Sequence, residues 1–292
     1  MIQVRLKGGM GNQMFQYAFG MGCAARLRTS LKLDCSALLD RSRGKDFIYR
    51  DLDLDIFRSE PDFGVDPALL RKFYKIKSSS VSRLAKKYAT TGLTIEKEKH
   101  FHVDKNLLES PKDNVLYDGW WQSEKYFSNV KTQVREAFQF KESILSEAKE
   151  LYEQICNSNS VCLNVRRTDF LTTPTLNATN LEYFLKSAER MSRLIDDPHF
   201  FIFSDDIDWC REHIQLDNPV KIVGHEMKGY KFGNYLQLMK SCKNFIIPNS
   251  SFAWWAVWLN ENDDRKVIAP KNWFNEGDFN TTDLVPKEWL RI

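Results

Sequence analysis

Short apolar runs alternate with stretches of helical periodicity through the second half of this chain. The apolar runs are residues 161–165, 200–203, 220–223, 244–247 and 266–269, and the helical stretches between them are residues 181–195, 207–214, 234–242 and 251–260. This alternation predicts a parallel β-sheet covered by helices, because parallel neighbours need a crossover connection that is usually a helix. The second half is therefore expected to be an α/β domain.

Polar residues follow three of the predicted strands at the point where each strand ends. These clusters are residues 166–169, 204–206 and 249–251. The carboxyl ends of parallel strands lie along one edge of a sheet, and ligands bind at that edge. We therefore expect the three clusters to form one binding site.

The chain begins with an alternating apolar run, a glycine-rich turn and an apolar-periodic helix. The turn reads Gly8-Gly9-Met10-Gly11-Asn12-Gln13, which differs from G-x-G-x-x-G and lacks the P-loop lysine. Glycines and a helix N-terminus suit a phosphate, and they equally suit a tight strand–helix turn that binds nothing. Asn12 and Gln13 place two polar amides at the start of an apolar helix, where packing requires no polar side chain.

Composition limits the class of protein. The 292 residues are enough for two domains, and we place the division at 1–150 and 151–292, with the last residues able to pack back on the first domain. A net charge of +3 does not indicate nucleic acid as a partner. Six scattered cysteines without metal-ligand spacing predict reduced thiols, and no apolar run approaches the ~20 residues of a membrane span. We expect a cytoplasmic protein without a metal site.

Two arginines follow the first buried run of the second half. The guanidinium groups of Arg166 and Arg167 could bind phosphate in a bidentate manner, one of them binding the ligand while the other pairs with Asp169. Both could instead form structural ion pairs. Ser250 and Ser251 are typical of a helix start whose free N–H groups bind a second phosphate oxygen.

The acidic pair Asp205 and Asp206 admits three interpretations. Two carboxylates can hold Mg²⁺ on a diphosphate, can accept hydrogen bonds from guanine, or can begin a helix as an N-cap. We favour recognition of guanine over metal binding, since the arginines already supply positive charge. For the basic stretch from residue 67 to residue 99 a solvated helical face is favoured, and a membrane surface or an acidic-substrate site is the alternative.

Four segments together resemble one known family. They are residues 8–17, residues 165–170 (Val-Arg-Arg-Thr-Asp-Phe), residues 203–206 (Phe-Ser-Asp-Asp) and residues 249–255 (Asn-Ser-Ser-Phe-Ala-Trp-Trp). The combination is similar to the bacterial α-1,2-fucosyltransferases of glycosyltransferase family 11, and residues 119–127 add to the similarity. The resemblance spans both halves of the chain.

The resemblance implies an α/β fold of the GT-B type, with two Rossmann-like domains facing across a cleft. It implies inverting, metal-independent transfer of L-fucose from GDP-fucose to a glycan hydroxyl, with O2 of a galactoside in an O-antigen or oligosaccharide as the expected position. The first domain would then serve the acceptor and the second the GDP-sugar, with no cofactor. The acceptor would be a free or lipid-linked glycan, and the enzyme cytoplasmic, in solution or peripheral at the inner membrane.

Roles for individual residues follow from the same resemblance. Arg166 would bind the β-phosphate, Asn12 would face the reaction centre, and Asp169 would orient Arg166 or act as a base. Trp121 and Gln122 are assigned to the acceptor on other grounds: a tryptophan beside an amide suits stacking on the apolar face of a sugar, although a buried corner of the core would use the same residues. The donor site would comprise Gly11, Gln13, Asn164, Ser204, Asp205, Asp206, Asn249, Ser250, Ser251 and Phe252. Asn164 departs from the family, which usually has His there.

Three other functions compete with GDP-fucose transfer. The enzyme could use another nucleotide-sugar donor. A dinucleotide-dependent oxidoreductase would use the glycine turn together with an acidic residue closing the second strand, where Asp34 lies. A carbohydrate-binding protein would use the same aromatic residues without turnover.

Overall fold

The protein is described by a computed structural model that covers residues 1–42, 48–76 and 78–292. It divides into two compact units. The first, unit 1, comprises Met1–Lys141 and Thr282–Leu284, and the second, unit 2, comprises Glu142–Thr281 and Val285–Ile292. Asp283 belongs to unit 1, where its carboxylate accepts a hydrogen bond from the Val103 amide at 3.0 Å.

Unit 1 is built around a parallel sheet. Its strands are β1 (Ile2–Arg5), β2 (Leu31–Asp34), β3 (Thr94–Lys97) and β4 (Val115–Asp118), in the order β2-β1-β4-β3. Its helices are α1 (Met10–Leu27), α2 (Pro67–Tyr74), α3 (Ser79–Ala89), α4 (Lys105–Glu109) and α5 (Lys131–Ala137), with 3-10 turns at Leu54–Ile56 and Glu124–Val130.

Unit 2 contains a second parallel sheet. Its strands are β5 (Asn159–Val165), β6 (Pro198–Ser204), β7 (Val220–Ile222), β8 (Asn244–Ile246), β9 (Val267–Ala269) and β10 (Leu290–Arg291), in the order β10-β9-β8-β5-β6-β7. Its helices are α6 (Lys149–Asn157), α7 (Thr168–Leu171), α8 (Leu181–Ser192), α9 (Ile207–His213), α10 (Gly233–Lys240) and α11 (Ser251–Leu259). Short 3-10 turns occupy Ser146–Ala148, Pro174–Leu176, His225–Lys228 and Tyr230–Phe232.

Each sheet reverses its direction of growth next to one strand. In unit 2 the chain adds β6 and β7 on one side of β5 and then returns to add β8 on the other side. In unit 1 the corresponding reversal puts β2 on one side of β1 and β4 on the other. The crossover helices leave on opposite faces at such a reversal, so a crevice opens at the carboxyl ends of the two strands.

The predicted elements of the second half are confirmed. The five apolar runs coincide with β5 to β9, and the helical stretches coincide with α8 to α11, with ends that differ by up to three residues. The prediction of Rossmann-like α/β domains is also confirmed, since each unit contains a parallel sheet with helical connections. Among the described helices, none combines the length and the apolar character that crossing a bilayer requires.

A buried carboxylate attaches α3 to the rest of unit 1. Asp40 accepts hydrogen bonds from the Ser42 amide (2.8 Å), the Ser82 hydroxyl (2.8 Å) and the Lys86 ammonium (2.6 Å), and its side chain is buried. Burial alone would raise the pKa of Asp40, but these donors outweigh it and hold the pKa far below its ordinary value. The folded state therefore favours the charged form.

This carboxylate predicts a loss of stability in acid. Because the pKa of Asp40 is lower in the folded than in the unfolded state, its contribution is complete above about pH 4 and is lost as the pH falls further. Asp40→Asn should lower the free energy of unfolding by about 2 kcal/mol at neutral pH and reduce its dependence on pH in acid. Urea unfolding at a series of pH values measures both effects. The control is Asp263→Asn, which changes an exposed carboxylate. If both variants changed the pH dependence of the free energy of unfolding equally, the role assigned to Asp40 would be contradicted.

Candidate functional site

Arg166 lies just beyond the carboxyl end of β5 and is held by two carboxylates. Its Nη2 is 2.7 Å from Asp169 Oδ1, and its Nη1 is 3.1 Å from Asp205 Oδ2. The side chain is 30 % exposed, so part of the guanidinium faces solvent. A guanidinium oriented by two carboxylates and partly open to solvent can bind an anion without first rearranging.

Asp205 organises the turn that carries Arg166. Its carboxylate accepts hydrogen bonds from the backbone N–H groups of Arg167 (2.9 Å) and Thr168 (3.1 Å) and from the Thr168 hydroxyl. Together with the Arg166 ion pair, these contacts occupy both carboxylate oxygens. A guanine base would have to share an acceptor that already fixes this turn.

Arg167 points to a different set of partners from Arg166. Its Nε donates to Asp206 Oδ2 at 3.1 Å, and its guanidinium lies 3.7 Å from the centre of the Trp209 ring. Asp206 also caps α9, since its Oδ1 accepts from the Trp209 amide at 3.3 Å. We expected the arginine that does not bind the ligand to pair with Asp169. Arg167 is instead held by Asp206 and Trp209, and Asp169 pairs with Arg166.

The turn after β8 supplies backbone donors. Ser250 is the N-cap of α11, and its hydroxyl accepts from the Ala253 amide at 3.5 Å. The N–H groups of Ser251 and Phe252, at the first turn of α11, bond to no other group in the described ranges. Because β8 and β5 are neighbours on either side of the reversal, this turn and the Arg166 turn flank the same crevice.

Three further predicted donor-site residues are largely buried beside these turns. Asn164 donates from Nδ2 to the Phe203 carbonyl at 2.9 Å, and Asn249 donates to the Leu176 carbonyl at 2.8 Å. The Oδ1 atoms of both asparagines are buried acceptors without a partner in the described part of the chain. The Ser204 hydroxyl accepts from the Asp206 amide at 2.9 Å, and the His225 ring contacts the Ser204 carbonyl. Sequence reasoning missed His225, although it follows the end of β7 closely.

In unit 1, Asn12 lies at the reversal between β1 and β4. Its Oδ1 accepts a hydrogen bond from Gln122 Nε2 at 2.6 Å, which joins α1 to the segment after β4. The Asn12 amide nitrogen has no hydrogen-bond partner among the residues that the structure describes, and the side chain is partly exposed. Asn12 therefore presents an oriented N–H₂ donor.

Gly8 has the backbone conformation that favours glycine in this turn, with φ of +77°. A Cβ built at Gly8 would overlap the Asn12 side-chain nitrogen. The glycine therefore provides room for the Asn12 amide.

Gln13 is an interior residue, which corrects its assignment to donor binding. Gln13 is fully buried, and its amide donates to the carbonyls of Gly8 (3.0 Å) and Asp51 (2.8 Å) while accepting from the Asp53 amide (2.9 Å). Gly11 is buried within the first turn of α1. The Gln13 side chain holds the glycine turn against the Asp51 segment and has no surface for a ligand.

The ring of Trp121 is also unavailable to a sugar, which corrects the prediction of stacking for this residue. It is 1 % exposed and stacks on Phe19 with ring centres 4.2 Å apart. The neighbouring Trp120 is partly exposed, and the Lys7 ammonium lies 4.7 Å from the centre of its ring. The sequence alone did not distinguish the buried tryptophan from the open one.

Glu98 fixes the position of both tryptophans. Its two oxygens accept the backbone N–H groups of Trp120 (2.7 Å) and Trp121 (3.0 Å). Burial raises the pKa of Glu98, against the lowering effect of these two hydrogen bonds. Sequence reasoning missed both Glu98 and Lys7, since each acts through contacts with distant parts of the chain.

Asp34 bears on the oxidoreductase alternative. Its buried carboxylate pairs with Arg5 at 3.0 Å and accepts the Ser36 amide at 2.9 Å. An acidic residue that binds ribose must present free oxygens at the sheet edge. Asp34 is occupied by structural contacts, so this feature of a dinucleotide site is missing.

The chain is similar in sequence to known glycosyltransferases. The model of the family described as glycosyl transferase family 11 matches residues 68–292. An α-1,2-colitosyltransferase of Escherichia coli is 31 % identical, and the match covers 100 % of this chain and 98 % of that protein. The O-antigen biosynthesis glycosyltransferase WbnK of Escherichia coli is 26 % identical, over 98 % of this chain and 99 % of that protein.

Solved structures match at the level of the fold and confirm the predicted GT-B type. The fucosyltransferase NodZ from Bradyrhizobium superimposes with a TM-score of 0.51 at 14 % identity, over 88 % of this chain and 92 % of that one. A NodZ structure co-crystallised with GDP gives a TM-score of 0.52 at 14 % identity, over 88 % and 91 % of the two chains.

The contacts of Asp205 generate a prediction about stability. Asp205→Asn replaces an acceptor oxygen with a donor that opposes the Thr168 amide or the Arg166 guanidinium. We expect a loss of about 2 kcal/mol and a melting temperature lower by roughly 4–8 °C. Differential scanning calorimetry measures the shift. The matched control is Asp208→Asn, an exposed carboxylate that pairs only with Arg211 among its described neighbours, and similar shifts in both variants would refute the role of Asp205.

Proposed function

The chain belongs to glycosyl transferase family 11, and on this premise we propose that it transfers L-fucose from GDP-fucose to a hydroxyl group of a glycan. The proposed position is O2 of a galactoside, in an O-antigen or a related oligosaccharide. The observation that carries the proposal is the crevice beside β5. There the oriented Arg166 guanidinium and the free N–H groups of α11 flank one reversal of the sheet.

The proposed role of this crevice is to bind the diphosphate of the donor. When the bond between fucose and phosphate breaks, negative charge develops on the leaving β-phosphate oxygen. Arg166 and the N–H groups of Ser251 and Phe252 would stabilise that charge, which is the role a metal ion plays in other transferases. Asp169 would orient Arg166, consistent with their 2.7 Å contact.

Recognition of guanine is assigned to the residues around the end of β6. A carboxylate can accept the N1–H and the amino group of guanine together. Asp206 is better suited than Asp205, because the Asp206 side chain is 30 % exposed and that of Asp205 is 13 % exposed. Ser204, Asn164 and Asn249 would complete the donor site, the two asparagines through their unpartnered Oδ1 atoms.

The residues of unit 1 are proposed to orient the sugars. The Asn12 amide nitrogen would donate to a sugar oxygen, with Gln122 holding the amide in place at 2.6 Å. Trp120, rather than Trp121, would stack on the apolar face of a sugar.

The proposed reaction inverts the configuration at the anomeric carbon. The acceptor oxygen attacks from the face opposite GDP, its new bond to carbon forms as the carbon–oxygen bond to phosphate breaks, and the acceptor proton leaves late. No cofactor takes part in this scheme.

A second donor is favoured by one observation. The curated relative that is 31 % identical along the whole chain is named for transfer of colitose, a sugar that differs from L-fucose by the loss of one hydroxyl group. GDP-colitose is therefore the alternative donor.

A donor comparison tests the proposal directly. The full chain is incubated in EDTA with a galactoside and, separately, with GDP-fucose, GDP-colitose, GDP-mannose or UDP-galactose, and products are analysed by mass spectrometry and NMR. An α-1,2-linked fucoside is the expected product. Transfer from GDP-colitose alone would establish the second candidate. Turnover only with GDP-mannose or UDP-galactose would refute the proposal, and glycan binding without turnover with any donor would indicate a carbohydrate-binding protein.

Arg166→Ala should reduce kcat by roughly 100-fold or more, because it removes a charge that stabilises the leaving group. GDP binding should weaken as well, and Arg166→Lys should recover only part of the rate, since Lys lacks the planar fork. Steady-state kinetics and calorimetric titration with GDP measure these effects. Arg193→Ala, an exposed residue directly after the end of α8, is the control. Near-normal turnover of Arg166→Ala would remove Arg166 from the mechanism.

Asn12→Ala should lower kcat by roughly 10- to 100-fold and leave the affinity for GDP unchanged, because the amide is assigned to the sugar and not to the nucleotide. Gly8→Ala should have a similar effect, since the new methyl group displaces the Asn12 amide. The same kinetic and calorimetric measurements apply. The exposed Asn106→Ala serves as the control. A loss of GDP affinity in Asn12→Ala would contradict this division of roles.

A further inference from the structure

Helices α2 and α3 of unit 1 carry a surface that the proposed transfer does not use. Each helix already has an inward face that attaches it to the unit. Leu70 and Tyr74 of α2 are buried, and the Tyr74 hydroxyl donates to the Ser36 carbonyl at 2.7 Å. Ser82 and Lys86 of α3 bind the buried Asp40. Away from these inward contacts, both helices also carry side chains that are exposed to solvent.

Several of these exposed side chains are large and apolar. Leu69, Phe73 and Ile76 follow one another at helical spacing along α2 and its end, and Leu84 and Tyr88 do so along α3. Leu84 is 66 % exposed and Tyr88 is 74 % exposed. Single exposed apolar residues are ordinary, but five of them on or directly after two contacting helices indicate an interaction surface, and we call these five side chains the apolar patch.

The charged residues within α2 and α3 all have one sign. From residue 67 to residue 95 the sequence contains seven lysines and arginines and no aspartate or glutamate, although the whole chain carries only +3. Arg71 pairs with Asp51 and Lys86 with Asp40. Lys72, Lys75, Arg83 and Lys87 are exposed and form no salt bridge with any described residue. The two helices thus carry unneutralised positive charge together with the apolar patch.

From this combination we infer that the α2–α3 surface binds the face of a lipid bilayer that contains anionic headgroups. Amphipathic helices of this composition lie in the bilayer interface, with apolar side chains among the acyl chains and cations at the phosphate level. The exposed lysine and arginine stems can extend from the apolar patch to the headgroups. The complementarity is between a uniformly basic helical surface and anionic phosphate, and it requires no directional hydrogen-bonding pattern.

The experiment uses the full chain and sedimentation with vesicles of phosphatidylcholine, with or without phosphatidylglycerol. We expect binding only to the vesicles that contain phosphatidylglycerol, and weaker binding as salt is added. The double variant Leu84→Ser with Tyr88→Ser should weaken binding to the vesicles that contain phosphatidylglycerol at least tenfold. Replacing Lys72, Lys75, Arg83 and Lys87 by Gln should do the same. Transfer to a soluble acceptor should be unchanged in both variants, which separates this inference from the proposed function.

A matched variant controls for nonspecific effects. Leu194→Ser with Lys287→Gln changes an exposed leucine and an exposed lysine outside α2 and α3, and it should bind the vesicles like the unaltered chain. Three results would overturn the inference: no binding to either vesicle, equal binding to both, or an equal loss in the control variant. Each would leave α2 and α3 as a solvated face or a surface for a protein partner.

Discussion

The reversal of strand order beside one central strand is the constraint on which each unit depends. In unit 2, β5 pairs with β6 on one side and β8 on the other, and all three strands run in the same direction. Their carboxyl ends therefore lie on one edge, and the crossover helices diverge where the order reverses. Arg166 and the first turn of α11 come together at this edge because the pairing of β5 with both neighbours brings their strands side by side. The same relation between β1 and β4 places Asn12 next to Gln122.

Carboxylates then set the geometry of the unit 2 edge. Asp205 and Asp169 hold Arg166 in one orientation, while Asp206 and Trp209 hold Arg167 in another. The two adjacent arginines thus have different partners. The three acidic side chains of Asp169, Asp205 and Asp206 offset the repulsion between the two positive charges. A guanidinium fixed in this way loses little freedom when it binds a phosphate, so more of the interaction is available to the developing charge of the leaving group.

Much of the fold and part of the site could be predicted from residues alone. Strands β5 to β9 are apolar runs bounded by polar residues, and a parallel sheet demands that pattern because its central strands are buried on both faces. Arg166 and Ser250 are candidates because charged and hydroxyl residues directly after strands are unusual without a ligand, and Asn12 is a candidate because it places an amide at the start of an apolar helix. Trp121 and Gln13 were misassigned. A tryptophan and a glutamine look the same in a sequence whether they face a sugar or the interior, and only the packing against Phe19 and the bonds to Gly8 and Asp51 distinguish the two cases.

By itself, the sequence determined the α/β class, the family and the edge of each sheet where chemistry is to be sought. These properties depend on local periodicity and on short motifs, which a linear chain displays directly. The tertiary structure decided which of the residues at those edges are open. It buried Gln13 and Trp121, paired Asp34 with Arg5, and left Trp120, the Asn12 amide and part of Arg166 exposed. Burial and hydrogen bonding arise from contacts between residues far apart in the chain, so neighbours along the sequence could not specify them.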